Sequence, residues 1–193
     1  MITDKTLLTT KFDQAVPYRD FVAMGEPMGH RPPWDERYSQ LELTEDQDRL
    51  VKSFVRKMHV LCLTGTWCGD CALQGSAMQR IAEANPDVID LRFIMREESH
   101  ADLIVKTPIN QGFRVPVTWF LAEDFEPVGW MRDSTLSRYR SMARKGMPDG
   151  GSVVLAEPPA DPVRAVLQEV LDEFERVQLL LRISPRLREI HGD

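Results

Sequence analysis

The chain has 193 residues, 42% of them hydrophobic, and a formal net charge of −6. That length suits one domain with additions, and the composition suits an ordinary packed core. The negative balance argues against a nucleic-acid surface, no stretch approaches the ~20 apolar residues of a membrane span, and Met1 to Thr6 has neither the basic flank nor the apolar core of a secretory leader.

Residues 1–43 read as an N-terminal extension packed on a domain spanning 44–193. Prolines at 17, 27, 32 and 33 and glycines at 25 and 29 break any long element. Phe12, Tyr18, Phe21, Trp34 and Tyr38 are enough aromatic surface to pack onto something. Short helices are expected around Tyr18–Met24 and Trp34–Gln40. The extension covers one side of the domain; the alternative is a partner-binding arm. Thr44 with Gln47 three residues on forms a capping box, and Leu50, Val51, Phe54 and Val55 give the following helix one apolar face through Lys57.

His59–Thr64 is short, apolar and ended by Gly65, as in a buried central strand. From Cys71 to Ala84, Leu73, Ala77 and Ile81 recur every four residues, with Met78 and Ala82 beside them, which is one helix face. Asn85-Pro86 ends it. Val88–Met95 alternates as a second strand, and strand, helix, strand makes a parallel unit with a right-handed crossover. Ser99 is expected to cap a short helix through Val105, with His100 facing solvent. Val117–Leu121 and Pro127–Met131 form a hairpin around Glu123-Asp124. Ser134 opens a helix through Lys145 whose Arg138, Arg140, Arg144 and Lys145 read as a solvated basic face. Gly146–Gly151 is a loop without the Lys-Ser/Thr of a phosphate-binding loop. Pro158-Pro159 is a linker. Asp161-Pro162 opens a last helix with Val163, Val166, Leu167, Val170, Leu171 and Phe174 on the face that covers the sheet. Leu179–Ile183 extends its apolar character until Ser184-Pro185.

The chemistry concentrates at Thr66-Trp67-Cys68-Gly69-Asp70-Cys71, between the first strand and the helix. Cys68 sits at the mouth of that helix, where free N–H groups and the dipole favour an anion. A thiolate is the nucleophile of disulfide exchange, which makes Cys68 the attacking thiol and the deeper Cys71 the resolving one. Trp67 flanks them as a flat apolar contact. A structural disulfide is the bland alternative. A zinc site needs about four ligands, and one C-x-x-C with Cys62 in the strand and two scattered histidines does not supply them. Val115-Pro116 stands at the start of the third strand; a cis bond there would turn a backbone edge toward the cysteines.

Trp67-Cys68-Gly69-Asp70-Cys71 after a buried strand, with Gly112-Phe113-Arg114-Val115-Pro116-Val117-Thr118 downstream, resembles the thioredoxin superfamily. The resemblance implies an α/β thioredoxin-like fold: a mixed sheet of about four strands with helices on both faces, plus terminal extensions. It implies Cys68 as nucleophile, Cys71 as resolving cysteine, Pro116 as cis-proline and Val115 as the residue whose backbone pairs with substrate. Three departures stand out. Gly69-Asp70 lies between the cysteines, and Asp70 puts a negative charge near Cys68 that should weaken thiolate stabilisation. Cys62 occupies the position of the family's buried acid, with Arg92 as a candidate substitute. Gly75-Ser76 replaces the family's helix-kinking proline and could permit a milder bend.

The expected function is a thioredoxin-like disulfide reductase whose only redox group is the Cys68–Cys71 pair. Its clients are protein or small-molecule disulfides, and an external reductase or low-molecular-weight thiol supplies electrons. Three cysteines, one of them buried, suit a reducing compartment, so a cytoplasmic location is expected. The alternatives are a redox-silent or redox-sensing binding module, and a thiol peroxidase built on Thr64, Thr66 and Arg114.

Overall fold

The computed structural model of the chain describes residues 4–147 and 157–193. Of the loop expected over 146–151, positions 148–151 lie outside the described residues. The strands are β1 (Met58–Thr64), β2 (Ile89–Met95), β3 (Val117–Ala122) and β4 (Pro127–Met131), in sheet order β2-β1-β3-β4. β1 runs parallel to β2 and antiparallel to β3, and β4 closes the hairpin. Every β1 residue is buried, so apolar side chains serve both faces. Val60 and Cys62 enter one core with Phe93 and Phe120; Leu61 and Leu63 enter the other with Ile94 and Trp119.

The first face is covered by α5 (Gly69–Ala84) and α8 (Pro162–Ile183). Val166, Leu167, Val170, Leu171 and Phe174 are buried as the periodicity requires, and Phe174 meets Phe120 edge-on at 5.0 Å. The second face is covered by α1 (Lys5–Gln14) and α6 (Ala101–Ile104), through Leu8, Phe12 and Leu103. This is the expected α/β arrangement with helices on both faces.

The N-terminal residues supply part of this core. Val16 exchanges two backbone hydrogen bonds with Phe93 at 2.9 and 2.8 Å, which pairs the outer edge of β2. α2 (Tyr18–Met24) and α3 (Arg31–Gln40) then bring Tyr18, Phe21 and Trp34 against Phe93 as one aromatic cluster. α3 starts three residues earlier than expected, because Pro32 and Pro33 fit a first helical turn that needs no N–H donors. α1 went unpredicted: its buried residues, Leu8, Lys11 and Phe12, give little apolar periodicity.

Other local expectations change. α4 (Glu45–Lys52) carries the Thr44–Gln47 capping box but stops five residues before Lys57, and Val55 is exposed. His100 does not face solvent: its Nδ1 lies 3.2 Å from the buried Lys11 ammonium, which also pairs with Asp102 at 2.9 Å. Ser184-Pro185 breaks α8 and caps a further helix, α9 (Pro185–His191).

Gly75 is used for packing. α5 is one continuous helix, and a Cβ at Gly75 would stand 2.6 Å from the Trp34 ring. That ring is fully buried and cannot retreat cheaply. Gly75→Ala raises intrinsic helix propensity by about 1 kcal/mol yet is expected to lower net stability by about 1–2 kcal/mol through overpacking. Urea unfolding reads the difference; an unchanged or raised midpoint contradicts this packing.

Candidate functional site

The site forms where β1 hands over to α5. β1 ends at Thr64, and Gly65 lets the chain pass beneath the Trp67 ring, which a Cβ there would meet at 2.6 Å. The Thr66 carbonyl accepts from the Trp34 indole N–H at 2.9 Å, and the Thr66 hydroxyl meets His30 Nδ1 at 3.0 Å. The loop before the cysteines is thus held by α3 and the turn leading to it.

Cys68 is the N-cap of α5, and its Sγ accepts from the Cys71 backbone N–H at 3.3 Å. The same sulfur reaches the Val115 carbonyl at 3.8 Å. The Val115–Pro116 peptide is cis. Sequence-distant Val115 and Pro116 are therefore brought to the cysteines, with Pro116 buried and Val115 half-buried. The N-terminal segment leaves Cys68 accessible: Cys68 is half-buried, Gly69 is exposed and Trp67 is 50% exposed. Cys62, Cys68 and Cys71 are all free thiols.

The two cysteines are driven apart in acidity. The hydrogen-bonded Cys71 thiol, followed by the backbone N–H groups of Cys71 and Asp70, brings the Cys68 thiol down to about 7 against the opposing cost of partial burial. Burial first, then the neighbouring Cys68, pushes Cys71 well above an ordinary thiol. Asp70 opposes ionisation of Cys68, as its charge dictates, but the helix-mouth donors outweigh it. Its carboxylate is also matched, because Arg138 Nε stands 2.5 Å away. Arg138 was expected on a solvated face; it faces the active helix, and its distance in sequence hid the pairing.

Neither Cys62 nor Arg92 supplies a proton acceptor to the site. Burial holds Cys62 as a neutral thiol with its pKa pushed up to about 12. Arg92 lies on the other side of the sheet, over the Phe12 ring and paired with Asp90 at 3.2 Å. Of the three residues considered for a peroxide pocket, Thr66 is engaged with His30 and Arg114 with Asp133 at 3.3 Å, while Thr64 is buried beside Cys71. Among the described residues no group of three or more His, Cys, Asp and Glu is arranged to hold a metal ion. Beside Cys68 opens a groove of about 350 Å³ lined by Trp67, Arg96, Phe113, Arg114, Val115 and Met142. Arg96 and Phe113 were not singled out in the sequence, since nothing local marks them as neighbours of Trp67.

Four strands in this order, a cysteine pair at the β1–α5 junction and a cis-proline opposite define a thioredoxin-fold protein. A family model described as Thioredoxin matches residues 19–133, and the chain belongs to that family. A protein of unknown function from Pseudomonas aeruginosa shares the fold at TM-score 0.64 and 19% identity, over 86% of this chain and 93% of that one. An HIV epitope-scaffold matches at TM-score 0.60 and 17% identity, with the same coverage of 86% and 93%. No curated protein matches the chain. Among the described residues no helix is long and apolar enough to cross a membrane.

Alkylation of the reduced chain checks the electrostatics. Thiolate is the reacting form, so Cys68 labelling should rise through a midpoint near pH 7 and level off above it. Cys71 should resist labelling until far more alkaline pH. Asp70→Asn should move the Cys68 midpoint down and Arg138→Ala should move it up. A midpoint at an ordinary thiol value, or shifts of opposite sign, contradicts the assignment.

Proposed function

We propose that the protein is a thiol–disulfide oxidoreductase that reduces disulfides through Cys68 and Cys71. The observation that carries this reading is the split in acidity: a half-buried sulfur ionised near neutrality stands one helical turn from a fully buried thiol held protonated.

The Cys68 thiolate attacks one sulfur of a client disulfide. The S–S bond breaks, its electron pair leaves on the departing thiolate, and a mixed disulfide forms at Cys68. The departing thiolate takes a proton from water. Once Cys68 is bonded, the charge that held the Cys71 proton is gone. Cys71 then attacks the Cys68 sulfur, the bond from Cys68 to the client breaks with its electron pair going to the client sulfur, and the Cys71 proton passes to that sulfur, so that the client leaves as its second thiol. Two client thiols and one Cys68–Cys71 disulfide result. An external dithiol reductase or a low-molecular-weight thiol returns the pair to the reduced form. Trp67, Gly69 and Asp70 flank the attacking sulfur, and Val115 and Pro116 offer the backbone edge against which a client chain aligns.

A redox-silent binding module has no use for an accessible thiol that ionises near neutrality. Partial exposure of Cys68 therefore favours turnover.

Reduction of insulin by dithiothreitol, followed by turbidity, tests this. Cys68→Ser should lose the catalysed rate entirely. Cys71→Ser should lose turnover but accumulate a client–Cys68 mixed disulfide visible by mass. Equal activity in wild type and Cys68→Ser contradicts the proposal.

A further inference from the structure

The groove beside Cys68 holds a charge that dithiol exchange alone does not require. Arg96 directly follows β2, and its backbone N–H donates to the Thr64 carbonyl at 2.7 Å. β1 and β2 are parallel, so Arg96 stands at the end of the sheet from which Thr66, Trp67 and Cys68 emerge. Its side chain lines the groove with Trp67, Phe113 and Val115, and Asp70 and Asp133 stand on the same wall. The neighbouring charges are matched. Arg114 meets Asp133 at 3.3 Å and Asp70 meets Arg138 at 2.5 Å. Arg96 makes no ion pair among the described residues, and its Nε is closed off from solvent without a hydrogen-bond partner.

A guanidinium keeps its charge at every accessible pH and presents a planar fork that fits a carboxylate. The Arg96 Nε is closed off, so a carboxylate in the groove meets the terminal guanidinium nitrogens, which make no hydrogen bond among the described residues. The flanking walls are apolar and open, with Trp67 50% and Phe113 49% exposed. A flat or aliphatic group can lie between them while an attached carboxylate reaches Arg96.

We infer that the groove takes disulfides bearing a carboxylate near the sulfur pair, with Arg96 as the residue that binds it. The inference rests on the dithiol reading above. The exchange step is unchanged. Cys68 bonds to one client sulfur, the client S–S bond breaks, and the released thiolate carries off the electron pair. Arg96 acts on encounter and orientation. The carboxylate can belong to a small disulfide or to an acidic residue beside a polypeptide cystine; the chemistry recognised is the same.

Stopped-flow exchange on the reduced full chain separates these points. One arm uses two aryl disulfides, the carboxylate-bearing dithiobis-nitrobenzoate and the neutral dithiodipyridine. The other uses disulfide peptides with Glu or Lys beside the cysteine. Arg96→Gln should slow exchange with the carboxylate-bearing reagent by roughly fivefold, the scale of one half-exposed charged contact. Exchange with the neutral reagent and the pH midpoint of Cys68 alkylation should stay unchanged. Arg96→Lys should recover part of the loss, and Arg132→Gln should change nothing. An Arg96-dependent preference confined to the peptide arm assigns the carboxylate to a polypeptide, and one confined to the aryl arm assigns it to a small molecule. Equal slowing with charged and neutral reagents, or no slowing, overturns the role of Arg96 and leaves the dithiol reading intact. Wild type that exchanges with no reagent at Cys68 overturns the dithiol reading itself.

Discussion

The contact on which the site depends is made by Trp34. Its indole N–H holds the Thr66 carbonyl, two residues before Cys68, while its ring lies over Gly75 in the helix that Cys68 caps. One buried side chain thus fixes the loop that enters the site and the helix that leaves it. Tyr18 strengthens the same clamp by pairing its hydroxyl with Ser76 at 2.8 Å. The position of the sulfur relative to the first N–H groups of α5 follows from this clamp. A thiol a short distance out of place would lose the donors that lower its pKa.

Electrostatics then separate two chemically identical groups. Cys68 and Cys71 stand at the two ends of one helical turn and differ in burial, so one is drawn toward ionisation and the other away from it. The charge of Asp70 runs against this separation. Its pairing with Arg138 links the first turn of α5 to α7 (Leu136–Gly146). The basic helix is therefore part of the site's charge balance, and its arginine lies 68 residues from the carboxylate it matches.

Much of the fold was legible because its signals are local. β1 is apolar on both faces, β2 alternates, the hairpin strands flank turn residues, and α8 repeats its apolar positions at helical spacing. The cysteine pair was legible for the same reason, since its chemistry needs only a strand-to-helix junction. The N-terminal segment was less so. Two of its helices, α2 and α3, could be read, but α1 shows little apolar periodicity, and the roles of Trp34 and Tyr18 come from residues they meet more than thirty positions away. Arg138 and Arg96 carry no local mark either, because a charge reads as solvated until its spatial neighbours are known.

The central claim is that Cys68 and Cys71 form one reversible two-electron couple while the buried Cys62 stands apart. Equilibration of the chain across a series of thiol–disulfide redox buffers, read by the mass of alkylated peptides, tests it most directly. The account predicts a single transition of about 30 mV per decade in which Cys68 and Cys71 lose alkylation together and Cys62 does not take part. Retention of both thiols across the whole range, or a disulfide that includes Cys62, would contradict it.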